Sequence, residues 1–511
     1  MAGGFARDGS AHATIHWEQI GVQHQATSPG RAITVERVTI VGGGLAGMAA
    51  AAALVHHQVP IRLLESRPRL GGRASSFRDQ VTGEAIDNCQ HVAMGCCTNF
   101  IRFCEMTGIR QHFEPARELY FFGPQGEMTK FAASRLPAPL HLAGAFFRLS
   151  YLSLSEKLAL GRALSRLAVA TETSITFADW LKNQHQPPRV IDHFWNVVLV
   201  SALSESLDRI GLQQARKVFV DGFLRNPQGW VVEIPQQPLE ELWAGPVRQY
   251  LEANHGLVEV GQGVAKVELC HVNHPHSQAD GWRVTGLTMR DSRMIPTGEM
   301  IVALPWYRLG EIFPEESPLA EIIAQARQLE AAPISSVHLW YDRPITDLPH
   351  ATFVSGLCQW LFIKPREAGA PEQAQEAAHY GYQVVISASR VLAGQSQEKI
   401  IEQVENELRG YFPALGDAHR VHARVVTEHK AVFSPLVGSE ALRPAQQSPI
   451  ANLQLAGDWT KTGWPATMEG AVRSGFLAAE NVLRRLDQPA KVLVEDLPTS
   501  RLPRLVWGRL S

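Results

Sequence analysis

The sequence predicts an α/β protein: a Rossmann-type dinucleotide-binding domain interrupted by inserted α+β segments. Two observations carry this. Residues 37–65 spell a β–α–β unit around Gly42-Gly43-Gly44-Leu45-Ala46-Gly47, and a second strand–turn–helix, running from Leu453 to Leu483, returns near the other end.

The elements follow in chain order. Residues 1–35 scatter Gly, Ala, Ser, His and Gln among few aliphatics, without a basic-then-apolar leader, and read as an extension. Arg37-Val38-Thr39-Ile40-Val41 is β-branched, as a buried parallel strand requires. Leu45 to Val55 reads as an Ala-rich helix, and Val59 to Leu64 as the next strand, ending at Glu65. From Phe100 to about Glu233 the pattern is mainly helical, broken at Pro137-Ala138-Pro139 and Pro187-Pro188. Strand patterns return at 256–269, 282–290 and 300–304, then at 335–341, 359–363 and 382–387. The expected division places the dinucleotide domain in 36–100, 231–310 and 441–485. The substrate domain takes 101–230 and 311–440, and residues 486–511 form a tail.

Composition narrows the function classes. At 511 residues the chain exceeds one ordinary core, and 45% hydrophobic against 19% charged residues marks it as globular. A net charge of −2 offers no concentrated basic surface for nucleic acid. Cys89, Cys96, Cys97 and Cys104 cluster without a C-x-x-C pair, so incidental thiols in a reducing compartment are expected and a metal site is not. No apolar stretch reaches the length that spans a bilayer, which favours a cytoplasmic protein.

Each glycine of the fingerprint has its own task. Gly42 allows the tight turn, Gly44 lets the backbone approach a pyrophosphate, and Gly47 lets the helix sit close to the strand. Leu45 and Ala46 open the helix, whose unpaired N–H groups favour phosphate. Glu65, followed by Ser66 and Arg67, is placed to accept hydrogen bonds from ribose hydroxyls. A second glycine turn follows at once, Gly71-Gly72-Arg73, bringing a cation near the same pyrophosphate. A nicotinamide-only enzyme has no need of it, so it favours FAD.

Residues 37–79, together with Gly457-Asp458 and Glu469-Gly470-Ala471-Val472-Arg473-Ser474-Gly475, resemble the FAD-containing amine oxidase and phytoene desaturase superfamily. The resemblance implies that superfamily's architecture and FAD held without a covalent bond. Asp458 would bind the ribityl chain or order water on the pyrophosphate. Ala466, Thr467, Met468 and Glu469 would begin a helix aimed at the flavin. Val264 matches the position whose backbone contacts adenine, or is an ordinary strand valine.

Two blocks point to one branch. Asp87-Asn88-Cys89-Gln90-His91 with Gly95 and Asn99, and Trp464-Pro465-Ala466-Thr467-Met468-Glu469-Gly470, resemble hydroxysqualene dehydroxylases. That resemblance implies reductive loss of an allylic hydroxyl from hydroxysqualene. His91 would be the acid and Asp87 its orienting partner, unless both simply hydrogen-bond a loop or the cofactor. Cys89 stands where that family has glycine, so a positive φ there would strain it. Trp340, Trp360, Phe362 and Trp464 would line a channel for an apolar isoprenoid, or are plain core. A carotenoid-type desaturase is the nearest rival; an amine oxidase and a non-catalytic prenyl-binding relative are further off. No second fingerprint serves a nicotinamide cofactor, which leaves the electron donor open. The tail Arg501-Leu502-Pro503-Arg504-Leu505-Val506-Trp507 alternates basic and bulky apolar residues, suited either to a lipid surface or to packing on the protein.

Overall fold

The structure is a computed structural model that describes residues 37–272, 281–364 and 379–508. The expected extension over residues 1–35 lies outside them.

Val38–Val41 pairs in parallel with Ile61–Glu65 on one side and Met300–Val302 on the other. Gly256–Val260 and Leu453–Leu455 complete a five-stranded parallel sheet at its two edges. Its central strand is buried at every position, which is why it reads as an unbroken apolar run. Helix Leu45–His56 is buried from Leu45 to Val55, because it is wedged between this sheet and helix Met468–Arg485. Alanine suits that place: both helices approach so closely that a Cβ on Gly475 would stand 2.2 Å from the Ala46 carbonyl oxygen. Residues 38–56 and 453–485, far apart in the chain, are thereby packed into one unit.

A seven-stranded sheet forms the second layer system. Its order is Arg420–Phe433, Ala331–Tyr341, Tyr380–Ser387, Trp360–Ile363, His350–Phe353, Glu118–Phe122 and Met128–Ala132. The neighbours are antiparallel except where His350–Phe353 meets Glu118–Phe122. A helical cluster, including Leu154–Ala168, Phe177–Asn183, Asn196–Leu203 and Leu212–Phe219, packs around Phe177, Trp195 and Phe219. Ser153 caps the first of these helices in a reciprocal capping box with Glu156.

Three features depart from the sequence expectation. The segment read as mainly helical contains strands Phe113–Ala116, Glu118–Phe122 and Met128–Ala132, each too short for its period to be told from a helical one. The 256–269 segment is two strands. Gly261, at φ +70°, ends the first, and Val264–Val272 turns into a separate antiparallel sheet with Gly281–Met289 and Met294–Pro296. Arg420–Phe433, a fourteen-residue strand, carries no apolar alternation because part of one face meets charge: His422 and Arg424 pair with Asp79 instead of entering an apolar core.

After helix Met468–Arg485 the chain runs without regular secondary structure through residues 488–500 to a last helix, Arg501–Trp507. Trp507 donates to Ser165 Oγ at 3.1 Å and packs against Ala168, Val220 and Leu224. Trp507 therefore packs on protein, one of the two settings expected of the tail, while Leu505 (84%) and Val506 (58%) stand exposed. No helix among the described residues is long and apolar enough to cross a membrane.

Candidate active site

The carboxyl ends of the parallel strands open into one long cleft. At its floor two glycine turns lie back to back. Gly71 N donates to Gly43 O at 2.8 Å, and a Cβ on Gly72 would lie 3.2 Å from Gly44 Cα. Neither turn carries a side chain, so the backbone and the amino end of helix Leu45–His56 face the cleft directly. A group as bulky as a dinucleotide pyrophosphate fits such a cradle, which any side chain would fill. Gly47, by contrast, lies under the turn: its Cβ would strike Gly42 O at 1.9 Å, the close packing expected of it.

Glu65, Ser66 and Arg67 line one end of the cleft beside Gln262 and Val264. Glu65 braces the first turn, with Oε2 accepting from Gly43 N and Oε1 from Arg67 N, both at 2.8 Å. Oε1 also accepts from Ser66 Oγ at 3.2 Å, so it is Oε2 that keeps acceptor capacity for a ribose hydroxyl. The far wall comes from the C-terminal segment: Gly457, Asp458, Ala466, Thr467, Met468 and Ala471. Thr467 caps helix Met468–Arg485 by accepting from Gly470 N. Arg73 crosses between the walls, donating to Asp458 Oδ1 at 2.5 Å and to Ala431 O at 2.9 Å.

Asn88, Cys89, Gln90, His91 and Val92 form a side of the cleft, facing Ser201, Ala202, Ser204 and Ile334. Cys89 has no positive φ, so the expected strain is absent, and burial pushes its thiol up to about 12, leaving it inert. His91 Nδ1 lies 2.7 Å from Cys89 O. Because a carbonyl only accepts, Nδ1 carries the proton and Nε2 keeps a bare lone pair. Burial, reinforced by the Arg73 charge, holds the ring below its ordinary pKa and therefore neutral, although the Cys89 hydrogen bond opposes this.

Other sequence-predicted site residues lie elsewhere. Asp87 is corrected from an orienting partner of His91: its Oδ1 accepts from Ser76 Oγ at 2.5 Å and Leu239 N at 3.1 Å, outside the cleft lining. Glu469 is fully buried and does not reach the cleft; its carboxylate accepts from Asn99 N and Phe100 N, capping helix Thr98–Met106. Trp340 donates to Glu84 Oε2 at 2.8 Å beneath Lys364, in a polar layer away from the cleft. Trp464 lies between Lys217 and Arg473. Trp360 and Phe362 stack on each other 5.5 Å apart and back the cleft behind Cys89, Val92 and Ile334, without lining it themselves. Conversely, Tyr307 and Arg308 line the cleft without having been singled out. They lie in the turn Trp306–Glu311 shortly after the carboxyl end of strand Met300–Val302, where a doubly wound sheet places its ligand contacts. Ser201 and Ser204 carry no local signal. No cluster of His, Cys, Asp or Glu among the described residues could hold a metal.

Comparison with known proteins assigns this geometry. The family model for flavin-containing amine oxidoreductases matches residues 45–483. The chain belongs to that family. It is an FAD-dependent oxidoreductase with the amine oxidase fold. Among solved structures, putrescine oxidase superposes with a TM-score of 0.62 at 15% identity, covering 88% of this chain and 99% of that one. Among characterised relatives, the 15-cis-phytoene desaturase of Synechococcus elongatus is 24% identical over 470 residues, covering 88% of this chain and 97% of its own. The 15-cis-phytoene desaturase of Solanum lycopersicum is 26% identical over 472 residues, covering 88% of this chain and 77% of that one. The zeta-carotene desaturase of Synechocystis is 24% identical over 483 residues, covering 88% and 97%.

These relatives correct the reading as a hydroxysqualene dehydroxylase, since they are phytoene and zeta-carotene desaturases. The physical reason is visible in the oxidoreductase itself. Asp87, Trp464 and Glu469, three of the residues that carried that resemblance, lie outside the cleft lining and bond to residues behind it. A neutral His91 whose one proton is held by Cys89 O is also a poor acid.

Proposed function

We propose that this oxidoreductase desaturates an apolar isoprenoid, converting a saturated C–C bond into a C=C bond. The full-length similarity to phytoene and zeta-carotene desaturases supports the substrate class. The observation that carries the chemistry is His91 in the cleft lining with its Nδ1 held by Cys89 O, which leaves Nε2 as the unprotonated nitrogen.

Desaturation removes a hydride and a proton from adjacent carbons. Bound FAD supplies the two-electron oxidant for the hydride. His91 Nε2 accepts the proton, and the Cys89 carbonyl, bound to Nδ1–H, stabilises the imidazolium that forms. Val92, Ala202, Ile334 and Val432 offer the apolar part of the lining and keep water from the reacting carbons. Glu65, Ser66 and Arg67 would hold the ribose end of FAD, with the backbone at Val264 available to adenine; Gly44, Gly72, Arg73 and Asp458 would hold its middle, and Ala466 to Met468 its flavin end. In this reading 36–100, 231–310 and 441–485 form the FAD domain and the two insertions the substrate domain.

A peripheral lipid contact through Leu505 and Val506 suits a substrate of this class. Truncation after Leu497 is expected to reduce co-sedimentation with anionic liposomes; undiminished binding would remove the contact.

The deciding experiment is anaerobic incubation of the FAD-loaded enzyme with phytoene in liposomes. Flavin bleaching together with longer-wavelength polyene absorption is expected. Unchanged phytoene and unchanged flavin across a series of linear isoprenoids would sink the reading.

A further inference from the structure

The segment that follows helix Met468–Arg485 is fastened along its length. Val492 N and Leu493 N both donate to Glu480 Oε1 at 2.8 Å. Asn99 holds Val494 from both sides, accepting from its N–H at 2.9 Å and donating to its carbonyl at 3.1 Å. Farther on, Asn226 Nδ2 donates to Pro498 O and Ser500 N donates to Arg225 O. Between these anchors, Asp496 enters a knot of charged and aromatic groups.

Asp496 Oδ1 accepts from Arg473 Nη1 at 2.6 Å and from Trp464 Nε1 at 3.4 Å. Its other oxygen lies 3.7 Å from Lys217 and 3.8 Å from Arg225. The Trp464 indole is flanked by Lys217 Nζ, 4.4 Å from the ring centroid, and the Arg473 guanidinium, 5.7 Å away. Asp221 pairs with Lys217 and Arg225, while Glu469 pairs with Arg473 at 3.2 Å. Three carboxylates thus balance three cations.

We propose that Asp496 is a positioning residue for FAD. It ties Trp464 and Arg473 together and so fixes the turn from Trp464 to Thr467 and the first turn of helix Met468–Arg485. Ala466, Thr467, Met468 and Ala471 of those turns form the far wall of the cleft. Glu469 is no substitute for Asp496, because its oxygens already receive Asn99 N, Asn99 Nδ2 and Phe100 N. Without Asp496, Arg473 keeps an incomplete set of partners in a buried setting, and a charge there seeks solvent. Its movement would release Trp464, and the cleft wall with it. The inference rests on FAD lying in this cleft and is independent of the substrate.

The test measures FAD release from the purified holoenzyme, as recovery of free-flavin fluorescence after dilution. Asp496→Asn is expected to raise the apparent Kd at least about tenfold and to shift the absorption of bound flavin. Asp496→Glu should recover most of the affinity. Asn226→Ala frees the far end of the same segment without touching Asp496 and should retain wild-type affinity. If Asp496→Asn fails to fold, Lys217→Met removes the cation from one face of Trp464 and should weaken FAD in the same direction. Wild-type affinity in Asp496→Asn, no recovery in Asp496→Glu, or equal loss in Asn226→Ala would each overturn the assignment. None of these outcomes depends on whether phytoene is turned over.

Discussion

Arg73 and Asp458 stand 385 positions apart in the chain, yet the guanidinium donates to the carboxylate at 2.5 Å across the floor of the cleft. The pair joins the second glycine turn to the C-terminal segment, and the Asp458 side chain is only 5% exposed. Arg73→Met would leave a buried carboxylate without its cation, a loss of about 3 kcal/mol where one partner of such a pair is removed. Purified Arg73→Met is expected to carry little flavin and to melt earlier, read from the flavin-to-protein absorbance ratio and calorimetry. Arg73→Lys should recover only part of this, since it cannot reach Asp458 and Ala431 O together.

His91 should act in its neutral form. Burial and the nearby Arg73 charge hold its pKa below the ordinary value, so the competent species dominates at neutral pH and is lost only as pH falls through that lowered value. Turnover is therefore expected to be flat at neutral pH and above and to decline on the acid side. His91→Ala should slow turnover roughly a hundredfold or more while retaining flavin, and its acid limb should vanish. A near-normal rate would remove His91 from the reaction.

Asp87 carries a different pH signature. Burial raises its carboxyl to about 6, against the hydrogen bonds from Ser76 and Leu239 N and the charge of Lys364. A carboxyl raised in the folded state binds its proton more tightly there than in the unfolded chain. Its stabilising contribution is thus full at low pH and is lost as pH rises through about 6. Melting temperatures of wild type and Asp87→Asn are expected to diverge in favour of the variant between pH 4.5 and 8. A constant offset would contradict the assignment.

Two glycines in helices should respond in opposite directions. A Cβ on Gly475 would meet Ala46 O at 2.2 Å and Ala50 N at 2.9 Å, both backbone atoms that cannot step aside. Gly475→Ala is expected to cost about 1–3 kcal/mol through overpacking, measured by urea denaturation. Gly161, in helix Leu154–Ala168, has nothing within 4 Å of its Cβ position. Gly161→Ala should stabilise by about 0.5–1 kcal/mol.

The cofactor half of the molecule was legible because its signals are local. A glycine fingerprint, the strand before it and the acid after it fall within thirty residues, and each is demanded by backbone geometry. The substrate half was not legible in that way. Strand Arg420–Phe433 looks polar because Asp79, from a distant hairpin, meets its His422 and Arg424. The helical reading of residues 113–132 failed because three short strands take their partners from residues 232–235 and 350–353 as well as from each other.

The sequence by itself determined the β–α–β unit from Val38 to Glu65, the second glycine turn, and hence FAD as cofactor. Only the tertiary structure decided which of the resembling residues meet the cleft. Asp87, Glu469 and Trp464 sit within a few residues of the cleft lining, but their side chains turn to Ser76, Asn99 and Asp496. A motif records which residues are neighbours in the chain, whereas the direction of a side chain depends on partners supplied from up to several hundred residues away.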